Sequence, residues 1–262
     1  MAIRQGFMID ASVPFDAGVD FAAEHGFDFV ELNMEHPFFR DLDADRVRAA
    51  TSDRGLDVVA HLPYRLDVGS PHEHVRDGAC RQLEAAVDTA VACGAETGVF
   101  HATTTVSAEG WGADALRANI YESVRRVAAH AREAGVTAAV ENVKRPYFDA
   151  GDFPDLFAET DADACLDTGH AHATGHDGGD QAALIREHGD RIAHVHLNET
   201  RQPDRDEHLP LGHGVVDFAS VARAMVETGW SGTCTHEIYS WHLDSRASSK
   251  AIFDGLLADA RA

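Results

Sequence analysis

The sequence has few lysines, and acidic residues far outnumber basic ones. Its 262 residues contain 44 Asp and Glu against 22 Lys and Arg, a formal net charge of −22. Lys144 and Lys250 are the only lysines. This composition favours a protein of a salt-rich cytosol, and an ordinary acidic, highly soluble protein is the alternative. An acidic surface repels nucleic acid at low salt, but at molar salt the screening length falls to about 3 Å and this argument weakens.

Cysteines and long apolar runs are also scarce. The four cysteines show no CxxC pair and no spacing typical of a disulfide framework: Cys80, Cys93, Cys165 and Cys234. We therefore expect reduced, buried thiols in a cytoplasmic protein. The first residues, MAIRQGFMID, lack the apolar run of a signal peptide, and no segment is long enough to span a membrane. The sequence leaves open whether the chain forms a homo-oligomer.

Short apolar runs alternate eight times with longer segments of helical period. The runs predict strands near residues 3–9, 29–33, 58–61, 98–101, 137–141, 164–167, 192–197 and 233–238. Helices are predicted at residues 44–54, 71–93, 114–134 and 218–228, and a glycine follows each of them, as is typical of helix ends. This alternation predicts one domain over residues 1–262, a (β/α)8 TIM barrel of α/β class. An open doubly wound sheet is the alternative, but no Gly-rich dinucleotide loop is present.

Six of the predicted strands end on a residue that binds hard or borderline metal ions. These residues are His61, His101, Glu141, Asp167, His196 and Glu237. Three further candidates lie just past strand ends: His170, Asp206 and His208. In a closed parallel barrel, the carboxyl ends of all strands converge on the face where active sites are built. A single histidine at a strand end is usually structural, but the whole set predicts a metal centre.

The residue types limit which ion such a centre binds. Imidazole and carboxylate ligands without a thiolate suit Zn²⁺, Mn²⁺, Co²⁺ or Mg²⁺. In the segment HVH, the strand period of two points His194 and His196 to the same face. We expect His196, which is nearer the strand end, to be the ligand and His194 to be a deeper hydrogen-bonded residue. Asp206 and His208 lie in a polar loop, where a solvated surface cluster is the alternative.

Several motifs resemble the xylose isomerase-like TIM barrel superfamily along essentially the whole chain. They are ENV, LDTGHAHATG, HVHLNE, DEHLPLGHG and HEIY. In the sugar phosphate isomerase and epimerase branch of that superfamily, one divalent ion, often Mn²⁺, is held by two Glu, one Asp and one His. The resemblance implies that these ligands are Glu141, Asp167, His196 and Glu237. It also implies that Glu141 and Glu237 are the catalytic acid/base pair acting on a small sugar or sugar phosphate.

The same motifs resemble the endonuclease IV branch, where three Zn²⁺ ions are held by nine residues. All nine types occur here: His61, His101, Glu141, Asp167, His170, His196, Asp206, His208 and Glu237. An apurinic-site phosphodiesterase acting on DNA is therefore the second hypothesis. Such a nuclease grips DNA with basic and aromatic loops, whereas residues 34–39 carry little positive charge. The sequence favours the isomerase or epimerase, and a non-catalytic barrel that binds metal and sugar is the third hypothesis.

Candidate substrate contacts follow from position and resemblance. Glu31, in FDFVELNMEH, resembles a second-strand residue of the sugar-enzyme branch and would face the substrate. Arg65, Lys144 and Arg145 follow predicted strands three and five. They are candidates for binding a substrate phosphate, with exposed surface residues as the alternative. His172 is a further candidate ligand contact.

Overall fold

The structure is a computed structural model that describes residues 3–10, 13–35, 43–144 and 147–262. Eight parallel strands pair in sequence order, and the last pairs with the first, which confirms the predicted closed (β/α)8 barrel. The strands are β1 (Arg4–Ile9), β2 (Phe29–Asn33), β3 (Asp57–His61), β4 (Ala95–His101), β5 (Thr137–Glu141), β6 (Asp163–Asp167), β7 (Ile192–Leu197) and β8 (Thr233–His236). The eighth strand ends two residues earlier than predicted, so Glu237 lies just beyond it.

Helices surround this barrel. They are α1 (Phe15–Glu24), α2 (Ala44–Ser52), α3 (Glu73–Cys93), α4 (Ala113–Ala134), α5 (Phe153–Glu159), α6 (Thr168–Ala173), α7 (Gly178–His188), α8 (Phe218–Thr228) and α9 (Asp244–Arg261). The predicted glycine stops occur at α3, α4 and α8, where Gly94, Gly135 and Gly229 adopt φ values of 88°, 82° and 66°. Among the helices in the described ranges, none combines the length and hydropathy needed to cross a membrane.

The strand pleat decides which side chains enter the barrel. A small apolar cluster fills the interior: Phe29, Val59, Val99, Ala139 and Cys165. Since side chains alternate along a strand, the residue two positions further on also points inward. On β3 to β6 these next residues are His61, His101, Glu141 and Asp167. The alternation that buries the apolar residues therefore brings the predicted ligands to the barrel mouth.

The second hydrophobic core lies between the barrel and the helices. It is formed by the alternate, outward-facing strand residues and the buried helix faces, with Phe7, Val30 and Leu166 among its members. All four cysteines are buried and free of disulfides, as predicted. The core holds the strand ends in place, because the inward and outward residues of one strand cannot shift independently.

Candidate metal centre

Four predicted ligands form one compact cluster at the barrel mouth. One donor atom from each of Glu141, Asp167, His196 and Glu237 lies within 4.8 Å of the others, and all four residues are buried. The Nδ1 atom of His196 lies 3.2 Å from Glu237 Oε2, 3.5 Å from Glu141 Oε1 and 3.9 Å from Asp167 Oδ2. We call these four residues the primary cluster.

The primary cluster fits a divalent cation. His196 Nδ1 and Glu237 Oε2 are buried, and although they lie 3.2 Å apart they make no well-directed hydrogen bond; such atoms are rare unless a ligand satisfies them. Three carboxylates packed this closely repel one another, and a cation would offset that repulsion. One imidazole and three carboxylates offer only nitrogen and oxygen donors, which suits Mn²⁺, Zn²⁺, Co²⁺ or Mg²⁺.

The remaining five predicted ligands flank the primary cluster on two sides. On one side, His61 Nε2 and His101 Nε2 each lie 3.0 Å from Glu141 Oε2. On the other side, His170 Nε2 lies 3.1 Å from Asp206 Oδ2, and His208 Nε2 lies 3.1 Å from Glu237 Oε2. The structure therefore brings all nine predicted residues together.

Two asparagines that the sequence analysis missed hold Asp167 in place. Asn142 accepts a hydrogen bond from the Asp167 backbone N–H at 2.7 Å, and its amide donates to the Asp167 carbonyl at 3.0 Å. Asn198 donates to Asp167 Oδ2 at 2.6 Å. A Cβ atom at Gly169 would overlap the Asn198 side chain, so the DTGH turn requires glycine. The signal was present in ENV and HLNE, where an asparagine closely follows a ligand.

The loop between β7 and α8 carries Asp206 and His208 over the mouth. The buried carboxylate of Glu199 accepts hydrogen bonds from the backbone N–H groups of Gly212 and Val216, each at 3.1 Å. An antiparallel bridge joins Glu199 to Leu209. These contacts fix both ends of the loop and hold His208 buried at the mouth, with the more exposed Asp206 beside it.

Two tyrosines border the site and were also missed. The Tyr239 ring stacks on His208 with centroids 4.1 Å apart and an interplanar angle of 7°. The Tyr64 ring lies 5.4 Å from that of His61 and 5.2 Å from that of His101. Trp241, in the same segment as Tyr239, is 84% exposed. The motifs HLPY and HEIY place a tyrosine two or three residues after a ligand, which could have indicated these contacts.

Electrostatics keep the two glutamates of the primary cluster ionised, whereas burial raises the pKa of Asp167 to about 6. Burial alone would raise the pKa of Glu141, but the imidazoles of His101 and His196 hold it well below its usual range. Burial would likewise raise the pKa of Glu237, and His208 and His196 lower it. In turn, burial would lower the pKa of His208, but Glu237 and Asp206 raise it to about 10. Binding of a metal to these imidazoles would displace their protons.

Glu31 lies where the sequence analysis did not expect it. It pairs in register with Val59, two residues before His61, and is fully buried below the mouth. Its carboxylate lies 3.3 Å from His194 Nε2 and 3.2 Å from His196 Nε2. The expectation that Glu31 faces the substrate is therefore corrected: the strand register sets it one layer too deep. Burial would raise the pKa of Glu31, but His196 and His194 lower it.

The other candidate substrate contacts lie outside the primary cluster. Arg65 and Lys144 are exposed, and the Arg65 guanidinium lies 5.9 Å from the Tyr64 ring centroid. His172 is half-buried on α6. Arg145 and residues 36–39 of the loop after β2 lie outside the described residues.

Known proteins resemble this chain in sequence and in fold. A ketose 3-epimerase of Arthrobacter globiformis is 27% identical over 234 residues, covering 83% of this chain and 75% of that protein. A probable endonuclease 4 of Mycobacterium leprae (strain Br4923) is 28% identical over 202 residues, covering 73% of this chain and 76% of that protein. The crystal structure of a D-tagatose 3-epimerase-like protein shares the fold with a TM-score of 0.83, at 21% identity, covering 99% of this chain and 98% of that one.

The family assignment follows from the extent of the sequence match. The family model described as xylose isomerase-like TIM barrel matches residues 19–254, which is most of the chain. The closed barrel and the candidate ligands at its mouth agree with that match. The chain belongs to the xylose isomerase-like TIM barrel family.

Proposed function

We propose that this chain is a divalent-metal-dependent isomerase or epimerase acting on a small sugar or sugar phosphate. The primary cluster carries the proposal, because its four donor atoms lie within 4.8 Å of one another in a buried site. Its two glutamates come from β5 and from the residue that follows β8, so they approach the mouth from different sides. The sequence similarity to a ketose 3-epimerase supports the same chemistry.

The two glutamates would move the proton. A carboxylate that is ionised at neutral pH can remove a proton from a carbon beside a carbonyl, and the electron pair of the broken C–H bond then forms a C=C bond. Glu141 and Glu237 both have a pKa below the usual range. One would take the proton, and the other would return one to the opposite face or to the neighbouring carbon. A divalent ion in the primary cluster would stabilise the negative charge on the substrate oxygens.

The first test measures metal content and proton transfer on the same preparation. Protein purified at high salt without chelator is analysed for metal per chain by mass spectrometry. It is then incubated in D2O with a panel of free ketoses and their phosphate esters. We expect about one ion per chain, and a product that carries solvent deuterium at the carbon beside the carbonyl. Comparing free with phosphorylated substrates also tests whether Arg65 and Lys144 bind a phosphate.

Substitutions then assign the proton transfer to residues. Glu141→Gln and Glu237→Gln should each lower deuterium incorporation by about 100-fold or more. Glu187→Gln, on the exposed face of α7, is the matched control and should leave the rate unchanged. An unchanged rate in either site variant would refute the proposed proton transfer. A metal-loaded wild-type chain that shows neither exchange nor turnover across the panel would refute the sugar enzyme.

A specific observation favours a second candidate, a zinc-dependent phosphodiesterase. Beyond the primary cluster, donor atoms gather at His61, His101 and Glu141, and again at Asp167, His170 and His208. Three metal ions could share such a mouth, and adjacent ions stabilise the attacking and leaving oxygens of a phosphodiester. Two or three zinc ions per chain, with cleavage of an oligonucleotide duplex containing one abasic site, would favour this function over the sugar enzyme.

A further inference from the structure

A buried carboxylate lies directly beneath the primary cluster. Glu31 on β2 is 0% exposed, and its two carboxylate oxygens face different imidazoles of β7. Oε2 lies 3.3 Å from His194 Nε2, and Oε1 lies 3.2 Å from His196 Nε2. A buried carboxylate costs several kcal/mol unless it is paired, and its ion-pair partners among the described residues are these two histidines. Glu31, His194 and His196 therefore form one buried hydrogen-bond network.

The hydrogen bonds of this network determine which nitrogen of each imidazole carries the proton. An ionised carboxylate only accepts hydrogen bonds, so both Nε2 atoms must donate to Glu31. A neutral imidazole then has a free lone pair on Nδ1. For His194 this atom accepts from the Thr233 hydroxyl, 2.6 Å away. For His196 it faces Glu141, Asp167 and Glu237, and it has no hydrogen-bond partner.

We propose that Glu31 is a positioning residue that fixes His196 in the tautomer able to bind a metal through Nδ1. This inference rests on the proposed metal centre of the preceding section. Glu31 does not touch the substrate, because it lies one layer below the mouth. A carboxylate behind a ligating imidazole orients the ring and increases its basicity, and loss of such a partner typically weakens metal binding 10- to 100-fold.

The strand register explains why β2 supplies this group. Glu31 is aligned with Met8 of β1 and with Val59 of β3, in the layer below His61. The period of two along β7 sets His194 and His196 on the same face, so one carboxylate can reach both rings. Aspartate is shorter by one methylene group, and a glutamine amide offers one acceptor oxygen where the carboxylate offers two.

The test measures cobalt affinity in metal-free wild-type protein and in three variants. Co²⁺ is titrated at fixed pH and salt, and binding is followed by its visible absorption and by calorimetry. We expect Glu31→Gln to weaken binding about 10-fold and Glu31→Leu about 100-fold. Thr233→Val is the matched control. It removes the hydrogen bond to His194 and leaves the one between His196 and Glu31, so its affinity should remain within about 2-fold of wild type.

A second measurement distinguishes a positioning role from a purely structural one. In ¹⁵N-labelled metal-free protein, at a pH high enough for the imidazole to be neutral, the spectrum should show His196 protonated at Nε2 and unprotonated at Nδ1. In Glu31→Leu that single form should be replaced by a mixture. Thermal unfolding of each variant shows whether it is still folded. If Glu31→Leu does not fold, Glu31→Gln, which keeps the shape of the side chain, decides the test.

The outcomes separate this inference from the proposed function. If the wild-type protein binds Co²⁺ and every folded variant, including Glu31→Gln, binds it with the same affinity, the proposed role of Glu31 is overturned. The metal centre would remain intact. Wild-type protein that binds no divalent ion would overturn both. Weakened binding in Glu31→Gln, with wild-type affinity in Thr233→Val, would support the positioning role.

Discussion

At the scale of single residues, the most unusual side chain outside the site is an arginine buried in the core. Arg246 on α9 is 0% exposed, and its guanidinium donates to the carbonyls of Ile238 and Ser240 at 3.0 and 3.1 Å. It also lies 3.8 Å from the Asp10 carboxylate. Burial lowers the pKa of Arg246, and Asp10 partly opposes this. The arginine thus ties the segment that follows Glu237 to the helix behind it.

Replacing this arginine should destabilise the whole chain. Arg246→Met keeps an apolar stem but removes the guanidinium donor from the carbonyls of Ile238 and Ser240, and the Ile238 carbonyl keeps the Ser240 backbone N–H at 3.1 Å. We expect a loss of about 3–5 kcal/mol in the free energy of unfolding, measured by urea denaturation. Arg132→Met is the control, because Arg132 is exposed and pairs with Asp161 at 3.3 Å on the surface, a pair worth about 0–1 kcal/mol. Equal losses in the two variants would contradict the argument.

At the scale of elements, the β7–α8 loop depends on close packing of its backbone. A Cβ atom at Gly214 would lie 2.5 Å from the Thr200 carbonyl oxygen and would overlap the Glu199 carboxylate. Glu199 in turn accepts the hydrogen bonds that close the loop. A larger residue at position 214 must therefore displace the loop that carries Asp206 and His208.

Gly214→Ala should loosen this loop specifically. The exposed Arg201 and Arg205 offer trypsin sites within it, and we expect cleavage there, mapped by mass spectrometry, to become several-fold faster. Gly232→Ala is the matched control: its Cβ would lie 2.7 Å from the Ala193 carbonyl, just before β8 and away from the mouth. Both substitutions should cost about 1–3 kcal/mol by overpacking. Loop cleavage that is unchanged in Gly214→Ala, or equally fast in both, would show that Gly214 does not secure the loop.

The same scale explains what the sequence could predict. Most strand ends, and the convergence of the candidate ligands at the mouth, were predictable because each depends on local signals: apolar period, glycine stops, and a His, Asp or Glu at the next inward position. The contacts of Glu31 with His194 and His196 were not predictable, because they join β2 to β7, and 158 residues lie between Asn33 and Ile192. Asn142 and Asn198 were missed for a related reason. Their amides act on Asp167 of a neighbouring strand, a contact that the closed barrel creates.

At the scale of the whole molecule, negative charges far outnumber positive ones. A net charge of −22 makes the folded surface repel itself, and salt shortens the range of that repulsion from about 10 Å at 0.1 M to about 3 Å at 1 M. Some of the carboxylates are also badly placed within their helices. Glu24, Glu133 and Asp259 are exposed in the last turns of α1, α4 and α9, where the negative end of the helix dipole lies.

Neutralising those three carboxylates should stabilise the protein at low salt. The triple variant Glu24→Gln, Glu133→Gln, Asp259→Asn loses three negative charges and their conflict with the helix dipoles. The matched control loses the same charge from the first turns of helices, where carboxylates are favourable. It is the triple variant Asp45→Asn, Glu73→Gln, Asp114→Asn. At 0.1 M KCl we expect the first variant to exceed the control by about 2 kcal/mol in unfolding free energy. This difference in unfolding free energy between the two variants should narrow at 2 M KCl, because salt screens the charges. Equal gains in both variants at low salt would mean that net charge alone, and not its placement on the helices, governs the stability of this barrel.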